Sequence, residues 1–165
     1  LRLRAYGASW RDLGFRNFKP LKALIYLVIT LVCFQIAVVL MYSVIQALWP
    51  TFNPEQEQVN EFINPEGAVA VRLSFMALVI LPAVVEEALF RGFLFPAFSK
   101  HWGVWVGAGL SSLLFGIAHL QANVVVYTFM MGLLLCMMYW KLRSIWPGVI
   151  FHGLNNLLAF ILLLK

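Results

Sequence analysis

The sequence predicts an all-α fold: a polytopic transmembrane helix bundle of about five spans. Three observations carry that expectation. First, 62% of the 165 residues are hydrophobic and only 12% are charged, with mean hydropathy +0.87, whereas a soluble domain is about half apolar and a quarter charged. Second, the apolar residues fall into five runs near membrane-crossing length, separated by short polar turns. Third, the Lys and Arg residues alternate from turn to turn as the positive-inside rule requires. The net charge of +5 would suggest nucleic acid in a soluble protein. Here the basic residues stand at the ends of apolar runs, so the bilayer is the expected partner and nucleic acid is not. Cys33 and Cys136 lie in separate apolar runs without ligand spacing, and read as small hydrophobes.

Residues 1–20 are basic, with Trp10, Phe15 and Phe18 interspersed. They read equally as a short interfacial helix on an anionic surface or as a charged cytoplasmic flank. The chain begins at Leu1 rather than Met, which leaves room for an upstream segment. No signal peptide is expected, because the first apolar run is too long for its hydrophobic region. That run, residues 21–49, carries only Lys22 and exceeds the roughly 30 Å hydrocarbon core, so it tilts or protrudes. Residues 50–67 form an acidic external loop with Glu55, Glu57, Glu61 and Glu66, and a helical turn is expected from Glu55 to Phe62. Together 21–67 make a first unit, and 68–165 a core of four spans.

The core opens with the run 68–98, broken by Arg72, Pro82 and the pair Glu86-Glu87. Pro82 has no N–H to donate, so the carbonyl of Leu78 is freed and a kink is expected just before Glu86. Residues 103–120 form the next span, with Gly103, Gly107, Ser111 and Ser112 as a small-residue packing face. A Met-rich span follows at 123–140. The last, 145–164, opens with Trp146-Pro147 and carries His152, Asn155 and Asn156. Basic residues before 23, at Lys100 and at Lys141 and Arg143 alternate with the acidic loop and the neutral 121–123 turn. The N-terminus is therefore expected in the cytoplasm and the C-terminus outside.

Polar side chains inside such a scaffold need a reason, since a charge at bilayer depth costs about 2.5–3.5 kcal/mol or more. Glu87 and Arg91 are spaced i,i+4, which suits an intrahelical ion pair. Glu86, about 100° away on a helix, has no such local partner and suits proton transfer. Phe115 and His119 share a face at i,i+4, as do His152 and Asn156. An imidazole and a carboxamide side by side can hold an oxyanion or bond a neighbouring helix. Asn155 lies off that face and reads as helix-packing glue. Glu86, His119 and His152 are also a zinc inventory. No H-E-x-x-H is present, however, and Arg91 would oppose a cation, so no cofactor is favoured and zinc is the alternative.

Glu86-Glu87-x-x-x-Arg91, Phe115-x-x-x-His119 and His152-x-x-x-Asn156, in that order, resemble the motifs of the CAAX-processing and bacteriocin-processing (CPBP, or Abi) intramembrane proteases. That group includes the type II CAAX prenyl proteases. The resemblance covers about residues 68–165. It implies an intramembrane endopeptidase in which Glu86 activates water with help from His119. His152 and Asn156 stabilise the oxyanion, Glu87 and Arg91 position Glu86, and Phe115 supports the site. It implies a membrane-associated peptide or protein substrate, a metal-free mechanism, and a bacterial cytoplasmic membrane as the location. The alternative is a non-catalytic membrane binding or bacteriocin-immunity protein on the same fold. A proton-coupled transporter fragment is disfavoured by the few spans and the lack of a repeated half.

Overall fold

A computed structural model describes residues 9–52 and 67–163. The turn expected over Glu55–Phe62 and most of the acidic loop lie outside the described residues. Helix α1 is Pro20–Leu48. A long helical run follows: α2 (Ala68–Phe75), a π-helical stretch (Met76–Ile80), α3 (Leu81–Glu86), a second π-helical stretch (Glu87–Leu94) and α4 (Phe95–Ile117). The bundle closes with α5 (Ala122–Leu142) and α6 (Trp146–Leu163). The described residues are helix, turn and loop throughout.

At Pro82 the helix carries a widened turn. The N–H of Leu81 bonds to the carbonyl of Met76, five residues back. The turn preceding the proline is thus widened to π geometry, which makes room for the ring without breaking the helix. A second widening starts at Glu87, immediately after Glu86.

The 50-residue run Ala68–Ile117 would be about 75 Å long if straight. It is not straight. Ser111 Oγ donates to the carbonyl of Phe90 at 3.0 Å, although 21 residues of helix span about 31 Å. The reversal occurs at Gly103, whose φ of 81° and ψ of 166° suit a residue without Cβ. Gly103 is therefore a turn rather than a member of the small-residue packing face. The other three expected members do pack: Gly107 lies against Ser99, Ser111 bonds Phe90, and Ser112 lies against Gly132 on α5. The run is two antiparallel arms, so four continuous helical runs supply five apolar arms. Among the described residues, Pro20–Leu48, Ala68–Ile117 and Val124–Leu142 are long and apolar enough to cross a membrane, while Trp146–Leu162 is shorter.

Helix α1 buries one narrow stripe, Ala23, Thr30 and Phe34, at i, i+7 and i+11. Leu24, Ile25, Val28, Ile29, Val32 and Ile36 are exposed. In water such a face would be a severe liability; in lipid it is the expected outer surface. The inner core gathers Phe34, Phe90, Phe115, Met131, Leu135, Met138 and Phe151. Apolar helices of this length, turned outward on apolar faces, make the chain an integral membrane protein.

Of residues 1–20, the described part runs from Ser9 to the first residue of α1. Residues 9–19 contain a turn and extended backbone but no helix. They form a strap docked on the turn between α5 and α6. The N–H of Ile145 donates to the carbonyl of Gly14 at 2.9 Å, and Ser144 Oγ donates to the carbonyl of Arg16 at 2.6 Å. Phe15 meets Trp146 edge-on at 5.7 Å. The Leu13 carbonyl lies where a Cβ on Gly92 would stand, so this glycine permits the strap's approach.

Candidate active site

The second π-helical stretch, the end of α4 and the first half of α6 carry the candidate site. Arg91 Nη1 donates to Glu87 Oε1 at 2.8 Å, with both side chains almost fully buried. This is the expected i,i+4 pair. The guanidinium also lies over the Phe115 ring, 4.3 Å from its centroid, and Nη2 reaches the Gly132 carbonyl at 3.4 Å. A buried cation thus has a carboxylate, a π face and a carbonyl around it.

Glu86 stands apart, as its spacing predicts. Its side chain is 30% exposed, yet Oε2 is buried without a hydrogen-bond partner. Facing it is His152 Nε2 at 3.7 Å. The other ring nitrogen, Nδ1, is 3.4 Å from Glu87 Oε1 but not aligned for a hydrogen bond. One imidazole therefore sits between both adjacent carboxylates. That placement was not evident from spacing, which had Glu87 committed to Arg91 alone.

His119 lies in the turn after α4, not within the helix. Its Nδ1 is 2.8 Å from the Phe115 carbonyl. A carbonyl can only accept, so Nδ1 carries a proton in this bond. The bond also satisfies one of the orphan carbonyls at the helix end. This is the local reason for Phe115-x-x-x-His119. The Phe115 ring is fully buried and takes both imidazoles edge-on, His119 at 5.0 Å and His152 at 5.7 Å. Phe115 is the common wall of the site rather than a minor support.

Asn156 is half-buried one turn after His152, and none of the described hydrogen bonds joins it to Glu86, His119 or His152. Asn155 accepts a 2.6 Å hydrogen bond from Tyr127 on α5, consistent with its reading as packing glue. Tyr127 itself was missed, because a tyrosine in a Met-rich span carries no local signal. Gly148 was missed too. A Cβ there would stand 2.5 Å from Glu87 Oε2, so this glycine lets the carboxylate approach α6. Its position one turn before His152, on the same face, was the available signal.

As a zinc set, Glu86, His119 and His152 do not group among the described residues, and the Arg91 cation shares the cluster.

The fold and site define an integral-membrane helical bundle with paired carboxylates, an arginine and two imidazoles packed around one phenylalanine. Residues 68–158 match the family described as Type II CAAX prenyl endopeptidase Rce1-like, and the chain belongs to that family. It is also similar to the Bacillus subtilis (strain 168) protein named "Putative membrane peptidase YdiL", 26% identical over 96 residues. The match covers 58% of this chain and 39% of that relative, so the chain spans about two fifths of the relative's length. No solved structure matches.

Proposed function

We propose that the protein is a membrane endopeptidase that hydrolyses a peptide bond of a membrane-associated peptide or protein, with Glu86 as the base that activates water. One observation carries this reading: a buried, unpartnered carboxylate oxygen faces an imidazole nitrogen across 3.7 Å. That gap is too long for a direct hydrogen bond, and the reaction requires a water drawn in between the two atoms. Glu86 takes the water's proton as the oxygen attacks the scissile carbonyl. The proton passes to the leaving amine, for which the His119 Nε2 atom is a suitable relay. His152 and the Asn156 carboxamide, on one face of α6, donate to the developing oxyanion. Glu87 faces the other nitrogen of the His152 ring at 3.4 Å, and Arg91 holds Glu87 in place. The basic residues at one end of the bundle support an N-terminus on the cytoplasmic side.

The test compares the proteomes of cells producing wild type and Glu86→Gln at equal membrane levels. A membrane-proximal cleavage product should appear only with wild type, and His119→Ala should lose it as well. Undiminished cleavage by both variants refutes the assignment.

A further inference from the structure

Where the strap, the start of α1 and the end of α5 meet, a niche of about 370 Å³ is lined by Asn17, Phe18, Lys19, Lys22, Lys141 and Leu142. It differs in kind from the candidate site: three lysines are among its lining residues and no Asp or Glu is. Lysines gathered at one surface niche favour an anion there. Nothing on α1 offsets them, since its first turn holds no acidic residue. The lysines are nevertheless held near one another. Lys22 Nζ reaches the Lys141 carbonyl at 3.5 Å, and Lys141 Nζ lies 4.2 Å from the centroid of the Trp140 ring. Trp140 and Tyr26, the latter beneath Lys22 at 5.8 Å, are residue types that mark the headgroup level of a bilayer.

A second feature selects the kind of anion. Directly along α1 from the niche, Leu21, Leu24, Ile25 and Val28 are exposed and form an apolar track running toward the bundle's middle. A phosphate in the niche can therefore continue into a hydrocarbon chain on the helix. We propose that this niche binds the phosphate of an anionic phospholipid, with Lys19, Lys22 and Lys141 on the headgroup and the outward face of α1 under an acyl chain. Occupancy would clamp the strap and α1 to α5. The shared chemistry with free phosphate is the anion alone; the acyl track is what distinguishes the lipid.

The purified chain in dodecylmaltoside is titrated with phosphatidylglycerol, phosphatidylcholine or inorganic phosphate. Bound lipid is read by native mass spectrometry and stability by thermal unfolding. Wild type should retain phosphatidylglycerol over phosphatidylcholine and gain stability from it. An interfacial lysine contributes about 1 kcal/mol to anionic-lipid binding, or roughly fivefold in affinity. The triple variant Lys19→Gln/Lys22→Gln/Lys141→Gln should thus bind about a hundredfold more weakly, while Lys100→Gln, which removes one charge elsewhere as each single variant does, leaves binding unchanged. Should the triple variant misfold, Lys22→Gln and Lys141→Gln taken singly should each lose roughly fivefold. Equal retention of both lipids, wild-type affinity in the lysine variants, or a full stability gain from inorganic phosphate alone would each overturn the proposal.

Discussion

Replacing Arg91 with Met is the sharpest test of how the bundle tolerates its charges. Arg91 and Glu87 are 0% and 1% exposed and 2.8 Å apart. Removing the arginine strands a buried carboxylate whose remaining polar neighbour is the His152 ring at 3.4 Å. Breaking one partner of a buried pair costs about 3–5 kcal/mol. An independent scale gives about 2.5–3.5 kcal/mol for a lone charge at the centre of a membrane helix. Both meet near 3 kcal/mol, or roughly 150-fold in the folding equilibrium. Glu87→Met should cost as much, because it strands the guanidinium instead. The double variant leaves no lone charge, and well-packed apolar replacements of buried pairs are often neutral. If the two sites were independent the double would lose about 6 kcal/mol; the structure predicts a loss well under half of that. Reversible unfolding in mixed micelles, run as a double-mutant cycle, measures the coupling. Strict additivity of the two single losses would refute the buried-pair account.

Other consequences follow from single contacts. Gly148→Ala puts a Cβ 2.5 Å from Glu87 Oε2; overpacking of this kind costs about 1–3 kcal/mol, and cleavage should fall further than stability because Glu87 faces His152. Tyr127→Phe removes the 2.6 Å bond to Asn155; measured by unfolding, the loss should be about 0.6 to 1.7 kcal/mol, the range found for hydrogen bonds between membrane helices. Gly92→Ala meets the Leu13 carbonyl and should expel the strap, exposing the peptide bonds of residues 9–19 to added protease. Cleavage should survive strong chelation, with no stoichiometric zinc in the purified protein; loss restored by zinc would overturn the metal-free reading. At the strap's turn, Ser9 donates twice to Asp12, holding its carboxyl below the usual range. The turn's contribution is therefore present above the ordinary carboxylate pKa and fades as pH falls through the lowered one, which amide exchange at Ser9 can follow.

How much of this was readable in advance depends on the range of the interaction involved. The apolar runs, the Glu87–Arg91 pair and the shared face of Phe115 and His119 rest on neighbours three or four residues apart, so spacing alone exposes them. The reversal at Gly103 was half legible: a glycine flanked by Trp102 and Val104 fits a packing motif and a turn equally, and only the Ser111–Phe90 bond decides. The strap's dock was not legible, because it depends on the Ile145 N–H and the Ser144 hydroxyl, more than 120 positions away. The π-helical stretches had no visible signal apart from Pro82, since a widened turn is chosen by packing rather than by local propensity.

Those widened turns bear on why two adjacent glutamates have separate fates. Glu86 ends a regular α-helical turn and Glu87 begins a π-helical one. At the far end of that stretch the Phe90 carbonyl receives both the N–H of Phe95 and the Ser111 hydroxyl, which pins the wide stretch against α4. With the stretch pinned, Glu87 points inward to Arg91 while Glu86 keeps one buried, unbonded oxygen toward His152. A regular helix could also separate the two by about 100°, but it would not need Ser111. The proposed division of labour, one carboxylate holding and the other reacting, therefore depends on a hydroxyl on another arm. Ser111→Ala should remove that second bond and weaken cleavage while the Glu87–Arg91 pair persists. If Ser111→Ala cleaves as well as wild type, the π-helical turn needs no pin and the junction alone separates the two carboxylates.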